Sequence, residues 1–318
     1  MEKTYDIVAL GECLVDFIST AQGEKLFLEG NPGGAPANVL AAASRLGRHT
    51  AFIGKLGDDG FGHFLNRALK QAGVGTGGVV FTKEHPTTLA MVTLDEDGNR
   101  DFSFYRERTA DVMLRPEEID WKLIETTRIF HFGSVSMTAE PSRGATLAAA
   151  QRAREAGAVV SFDPNLREPL WGSLEQAKES ILQGMALADV VKLSGEELVF
   201  LTGGEGEAAM RQLAQQCDTK ILTVTLAAQG CLCLAGGAFY ESRTYDVKAI
   251  DTTGAGDAFW GAFLSRLTGA GIPGEQELLQ ILDFANAAGS LTTTRKGAIP
   301  AMPDEEQIRA CMRSIAKA

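Results

Sequence analysis

A doubly wound α/β fold, with a mostly parallel sheet flanked by helices, is predicted by three features of this sequence. Apolar runs of strand length alternate with helix-length segments along most of the chain, the pattern of βα units on a parallel sheet. Gly47 and Gly157 fall just after helical runs, where a left-handed residue ends a helix. The 318 residues, 45% of them hydrophobic, are ample for a sizeable core.

The strand-like runs are Asp6–Leu10, Thr50–Ile53, Ile129–Phe132, Val159–Phe162, Val190–Leu193 and Lys220–Thr225. Helical segments between them include Pro36–Leu46, Gly62–Ala72, Arg143–Ala156 and Leu174–Ala186. Two pieces break the alternation. Glu12–Gly30 opens with Leu14-Val15-Asp16-Phe17-Ile18 and then turns polar. Pro86–Arg106 reads as a hairpin, Thr88–Leu94 and Asp101–Tyr105 around a turn at Asp95–Asn99, because Asp-Gly-Asn between alternating runs is hairpin chemistry. Together they predict a small β-sheet, built from about 12–34 and 86–107 and inserted in one large unit spanning 1–318. Such a sheet needs a cover: a substrate cleft, a partner subunit, or both.

Net charge is −11 and no stretch is basic, which argues against nucleic acid, whose backbone demands Lys/Arg stripes. No basic, apolar leader opens the chain and no apolar run approaches about 18 residues, so neither a signal peptide nor a membrane span is expected. Cys13, Cys217, Cys231, Cys233 and Cys311 are odd in number and lack framework spacing, the mark of reduced thiols in a cytoplasmic protein. Cys231 and Cys233 share one face of a probable strand and read as core.

A Walker A pattern and a GxGxxG are both missing; Gly75–Gly78 and Gly203–Gly206 are expected as turns. His49, His63, His85 and His131 form no ligand pair. The chemistry concentrates in Asp251-Thr252-Thr253-Gly254-Ala255-Gly256-Asp257-Ala258-Phe259. Small residues opening an apolar helix leave its first N–H groups accessible to an anion. Asp257 then has two readings: a cap of that helix, or a base held beside an anion. A second glycine-rich element, Gly33-Gly34-Ala35-Pro36-Ala37-Asn38, also leads into a helix. It is either a plain helix start or a place where Gly33 and Gly34 admit a polar ligand and Asn38 reads a hydroxyl. Asp16 follows the first strand and suits a polyol, since a carboxylate accepts two hydroxyl hydrogen bonds.

From Val8 to Pro303 the chain resembles the ribokinase-like (PfkB) carbohydrate kinases. Asp251–Phe259 matches the family pattern D-T-x-G-A-G-D-x-F, and Gly33–Asn38 followed by Gly54–Gly62 matches its N-terminal pattern. Within the family it looks most like the fructokinases, on Gly11–Phe17, Phe104-Tyr105-Arg106, Asp163–Arg167, Ala285–Gly289 and Thr294–Pro300.

The resemblance implies transfer of the ATP γ-phosphoryl group to a sugar hydroxyl, with fructose the leading acceptor. A 2-keto-3-deoxygluconate or a riboside is the alternative, and a silent sugar-binding protein a third. Asp257 would be the base and the Gly254, Ala255 and Gly256 backbone the anion hole. Asp16, Gly33, Gly34 and Asn38 would hold the sugar. Arg106 would close over it or reach a phosphate, or else be a surface strand residue; Arg167 would be a further contact or structural. Thr225, Gly230 and Asn286 would bind the nucleotide. Two positions depart from the family: Ala227 replaces a glycine, a strained choice if φ is positive, and Ser194 replaces an asparagine. Glu197 would organise Mg²⁺ through water, and Asp251, Thr253, Thr292, Arg295, Gly297 and Ala301 match a K⁺ site. A homodimer through the small sheet, acting also as a lid, is the expected assembly.

Overall fold

The computed structural model describes residues 3–22, 25–94, 100–267 and 271–318. The chain opens with β1 (Tyr5–Leu10), β2 (Leu14–Gln22), β3 (Lys25–Gly33), α1 (Ala35–Arg45), β4 (Thr50–Gly57), α2 (Gly60–Gln71) and β5 (Gly75–Thr82). It continues through β6 (Leu89–Leu94), β7 (Arg100–Tyr105), α3 (Trp121–Glu125), β8 (Thr127–Gly133), α4 (Ser142–Glu155), β9 (Val159–Asp163) and α5 (Leu174–Met185). Next come β10 (Val190–Ser194), α6 (Gly195–Thr202), α7 (Gly206–Cys217), β11 (Ile221–Thr225), β12 (Cys231–Ala235) and β13 (Ala238–Ser242). Three helices finish it: α8 (Ala255–Arg266), α9 (Glu275–Thr292) and α10 (Glu305–Ser314).

Among the described residues the large sheet has nine strands in the order β13-β12-β11-β10-β9-β8-β1-β4-β5. Pairing is parallel from β11 to β5, and β12 and β13 add an antiparallel edge. Strand residues alternate between two cores. Ile7 and Ala9 face α1, α2, α8, α9 and α10, whereas Val8 and Leu10 face α4, α5, α6 and α7. Burial on both faces is why the parallel strands read as unbroken apolar runs. The chain leaves β1 first toward β4 and β5, then crosses to β8 on the other side. Ligands of open α/β sheets bind at such a switch point, beyond the carboxyl ends of the strands.

A separate sheet of four strands, in the order β3-β2-β6-β7, stands beside this body. β2 pairs antiparallel with β3 and parallel with β6, and β6 pairs antiparallel with β7. The expected hairpin is therefore present, while its turn at Asp95–Asn99 lies outside the described residues. Buried groups tie the segments joining the two sheets. Thr88 Oγ1 donates to Asp111 Oδ1 (2.5 Å), Arg106 Nε to Asp111 Oδ2 (2.7 Å), and the Ala35 N–H to Glu12 Oε1 (3.0 Å).

One expectation is corrected. Gly75–Gly78 is the start of strand β5, not a turn. A Cβ on Gly78 would lie 2.8 Å from Phe52 O and 2.9 Å from Leu123 Cδ1, so the glycine serves a close approach of strand and helix. Gly203–Gly206 does form the connection between α6 and α7.

Helix α8 explains how the site is assembled. Ala258 to Ser265 are all buried, as expected of a helix that is apolar all round. At Gly261 a Cβ would lie 2.5 Å from Val39 O and 2.7 Å from Ala42 Cβ. Glycine there, against the alanine-rich face of α1, lets the two helices touch backbone to backbone.

Candidate active site

The turn before α8 is held by its own first carboxylate. Asp251 Oδ1 accepts from the Thr253 N–H (3.0 Å) and hydroxyl (2.7 Å), and Oδ2 accepts from the Gly297 N–H (3.0 Å). Gly254 has φ 74, and a Cβ on it would fall 2.6 Å from Ala298 Cβ, so only glycine fits this N-cap. No side chain caps the helix. The Ala255 N–H donates to Thr252 O (3.2 Å), but among the described residues those of Gly254 and Gly256 have no acceptor. Free N–H groups at the positive end of a helix dipole are an anion site.

Asp257, in the first turn of α8, does not cap it. Its Oδ2 accepts instead from Asn38 Nδ2 at 2.8 Å, across the contact that Gly261 permits. Burial foremost, and then the charge of Asp163, push the Asp257 pKa up; Lys192, the Asn38 hydrogen bond and Arg167 oppose the rise. A carboxylate moved in this direction is suited to take a proton near neutral pH. Asn38 Oδ1, on the other side of the amide, is buried and unpaired. It is free to accept a hydrogen bond.

The glycines of the N-terminal motif pack against the segment around Asp16. A Cβ on Gly33 would collide with Asp16 Oδ2, and one on Gly34 (φ 113) with Glu12 O. Burial raises the Asp16 pKa to about 6, with Arg167 lowering it and Asp257 raising it. The charge of the exposed Arg167 thus favours the ionised form of both carboxylates. Arg106 is a buried strut. Besides its Asp111 contact, Nη1 donates to Thr138 Oγ1 (2.7 Å) and Nη2 to Val135 O (3.0 Å). These bonds engage three of the five N–H donors of a guanidinium. It lines a cavity of about 510 Å³ with Phe104, Arg108, Thr138 and Pro169.

Sequence reasoning missed a charged cluster beside Asp257. Lys192, inside β10, donates from Nζ to Asp163 Oδ2 at 2.6 Å, and both side chains are buried. Asp163 Oδ1 has no partner. Burial alone would lower the Lys192 pKa, but Asp163 above all, with Glu197 and Asp257, holds it above the ordinary value. The available signal was a lysine within an apolar run of a buried strand, which is rare unless the charge is paired. Behind the cluster, Trp260 Nε1 donates to Ser161 Oγ (2.9 Å), which also bonds His131 Nδ1 (3.0 Å). Burial holds the His131 pKa down near 4.

Further along the sheet, Thr225 ends β11 and its hydroxyl donates to Leu193 O (3.3 Å). Ala227 has φ 48, the strained conformation that replacing a glycine foreshadows. Gly230, at φ 99, leaves no room for a Cβ against Ser242 O. Asn286 is buried, and its amide donates to Ser242 Oγ (3.0 Å) and O (3.2 Å). Ser194 caps α6 in a full capping box, which is the use this chain makes of a serine there. Glu197 accepts from the Ser194 and Leu166 N–H groups, each at 2.7 Å.

Near the turn, the Ile250 and Asp251 N–H groups bond Thr293 O (2.7 and 3.1 Å), drawing in the end of α9 with Thr292. Gly297 and Ala301 are buried there, and Arg295 is exposed. No group of three His, Cys, Asp or Glu able to hold a metal exists among the described residues. A cation here would rely on backbone carbonyls and water, which fits K⁺ and a hydrated Mg²⁺.

The model of the pfkB family carbohydrate kinases matches residues 4–305. The chain belongs to this family. The kinase is 46% identical over 315 residues to the probable fructokinase-4 of Arabidopsis thaliana, covering 96% of each chain. A fructokinase from Xylella fastidiosa with bound ATP superposes with a TM-score of 0.90 at 37% identity, over 97% of this chain and 98% of that one. A double-mutant fructokinase from Vibrio cholerae O395, in its fructose-, ADP- and potassium-bound form, gives 0.88 at 35% identity over 98% and 100%. This kinase is accordingly a sugar phosphotransferase of the α/β, ribokinase-like fold. No helix among its described residues is long and apolar enough to cross a membrane.

Proposed function

We propose that this kinase transfers the γ-phosphoryl group of ATP to the 6-hydroxyl of D-fructose. The observation that carries the reaction is the half-buried Asp257 carboxylate, hydrogen-bonded by Asn38 at 2.8 Å, on the first turn of an uncapped helix. The fructokinase names of its relatives support the acceptor. Asp16 and Asn38 Oδ1 orient the sugar hydroxyls, and Gly33 and Gly34 give the room. Asp257 takes the proton of the attacking hydroxyl as the new P–O bond forms and the bond to ADP breaks. Charge gathering on the transferred oxygens falls toward the Gly254 and Gly256 N–H groups, and losing one such donor typically costs about 2.7–4 kcal/mol of barrier.

Thr225, Gly230 and Asn286 frame the nucleotide end, with Asn286 acting through its bonds to Ser242. Glu197 would hold Mg²⁺ through water, and the unpaired Asp163 Oδ1 beside it is a buried polar atom such hydration would satisfy. Carbonyls around Asp251, Thr253, Thr292, Arg295, Gly297 and Ala301 would hold K⁺. These cations supply neutralising charge at the phosphates.

The small sheet acts as a lid that excludes water from the cleft. Its edge strand β3 leaves Leu26, Phe27 and Leu28 exposed by 64, 50 and 42%, and a second copy of the chain covers them. Light scattering of a Phe27→Asp variant tests this: a monomer is expected, against a dimer for the parent. Five buried free thiols suit a reducing, cytoplasmic setting.

Coupled ADP release across fructose, 2-keto-3-deoxygluconate and a riboside tests the substrate. Preference for either of the last two refutes fructose. The Asp257→Asn variant is expected to lose about 10²–10⁴-fold in turnover while still binding fructose by calorimetry. Turnover near that of the parent refutes the base.

A further inference from the structure

Lys192 is an unusual residue for its position. Its side chain is buried within a parallel strand, yet it carries an ammonium with three N–H donors. Among the described residues only Asp163 Oδ2 accepts from it, at 2.6 Å, which leaves two donors without a partner. Burying an ammonium is costly unless its donors are met. Its surroundings add a second anomaly. A Cβ on Gly256 would lie 3.3 Å from Lys192 Nζ, so the ammonium sits against the first turn of α8. Positive charge beside a helix N-terminus is unfavourable by itself. The arrangement makes sense when an anion lies between them and accepts from both.

We propose that Lys192 is a catalytic residue that donates hydrogen bonds to the phosphoryl group in transit between ATP and the sugar. This rests on the kinase reading above and adds a donor to the anion hole that the glycine motif alone does not contain. Gly256 is then small for two reasons: its N–H must reach the phosphoryl oxygens, and its missing Cβ keeps the path to the ammonium open. Asp163 holds Lys192 in place and charged. During transfer the sugar oxygen bonds to phosphorus, the bond to the ADP oxygen breaks, and the hydroxyl proton passes to Asp257. Lys192 keeps its own proton throughout. Its unmatched donors meet the equatorial oxygens, where charge gathers in the loose transition state.

The test uses the full chain with Lys192→Met. Fructose-dependent ADP release is measured beside thermal unfolding with fructose, with fructose and ADP, and with fructose, ADP and fluoroaluminate, a mimic of the phosphoryl group in flight. The expected result is a loss of about 10²–10³-fold in kcat, with the KM for fructose little changed. Stabilisation by fructose and ADP should persist, and the further stabilisation by fluoroaluminate should vanish. A variant that keeps the fluoroaluminate increment, or keeps its turnover, overturns the proposal and leaves Lys192 as the structural partner of Asp163. Where Lys192→Met does not fold, Lys192→Gln carries the same two readouts, because its amide still donates to Asp163. A parent enzyme that releases no ADP with any sugar refutes the kinase reading instead; a deficit in the variants against an active parent bears on Lys192 alone.

Discussion

Replacing Asn38 with leucine removes one hydrogen bond and changes the pH at which the enzyme works. The Asn38 amide donates to Asp257 Oδ2 at 2.8 Å, in a site where burial and Asp163 already push the carboxyl pKa up. The donor favours the ionised form, so its loss moves the pKa higher still. A hydrogen bond to a charged group contributes about 1.5–3 kcal/mol, which is about one to two pKa units. The base must be ionised to accept a proton. The acid limb of the kcat/KM profile should therefore move up by about one to two pH units, with activity recovering above it. Coupled ADP release at a series of pH values reads this directly. The KM for fructose should also rise at every pH, because Asn38 Oδ1 is lost with the amide. An acid limb that stays at the pH of the parent, with an equal loss across the range, would refute the tuning of Asp257 and leave Asn38 as a sugar contact alone.

Three further outcomes follow from the same geometry. Gly33→Ala drives a methyl group into Asp16 Oδ2; overpacking of about 1–3 kcal/mol should weaken fructose binding about five- to hundredfold by calorimetry, with kcat less affected. Gly254→Ala meets both a φ of 74 and Ala298 Cβ at 2.6 Å, so the turn shifts and kcat should fall about 10²–10³-fold with fructose affinity retained. Ala227→Gly relieves a φ of 48; the left-handed penalty less the chain entropy of glycine leaves a gain of about 0.5–1 kcal/mol, read as a higher urea midpoint at unchanged slope.

What the sequence revealed depended on burial. The strands flanked by helices on both faces, such as β1, β4 and β8, appear as apolar runs and were placed within a few residues. Strand β3 was not: Lys25–Gly30 are exposed, so no alternation marks a buried face. Strand β5 hides behind three glycines, of which Gly78 serves close contact with Phe52 and Leu123 while Gly77 borders open space. The turn before α8 was legible because its chemistry needs small residues in consecutive positions. Asn38 was recognised as polar in a helix of small residues, but its bond to Asp257 spans 219 positions and depends on Gly261. No local pattern contains such a contact. Arg106 shows the same gap: its place at the end of a hairpin was readable, while its engagement by Thr138 and Val135 spans 32 and 29 positions, with only Asp111 close by in sequence.

The backbone contact at Gly261 also divides the labour of heritable change. Asn38 and Asp257 ride on two helices locked to each other, whereas Asp16 and Gly33 belong to a sheet joined to the body by a few short segments. Under the proposed roles, substitutions that reshape that sheet would alter which polyol is admitted without disturbing the pair that moves the proton. A lineage can drift in diet while its reaction stays fixed, and an engineer can graft along the same seam.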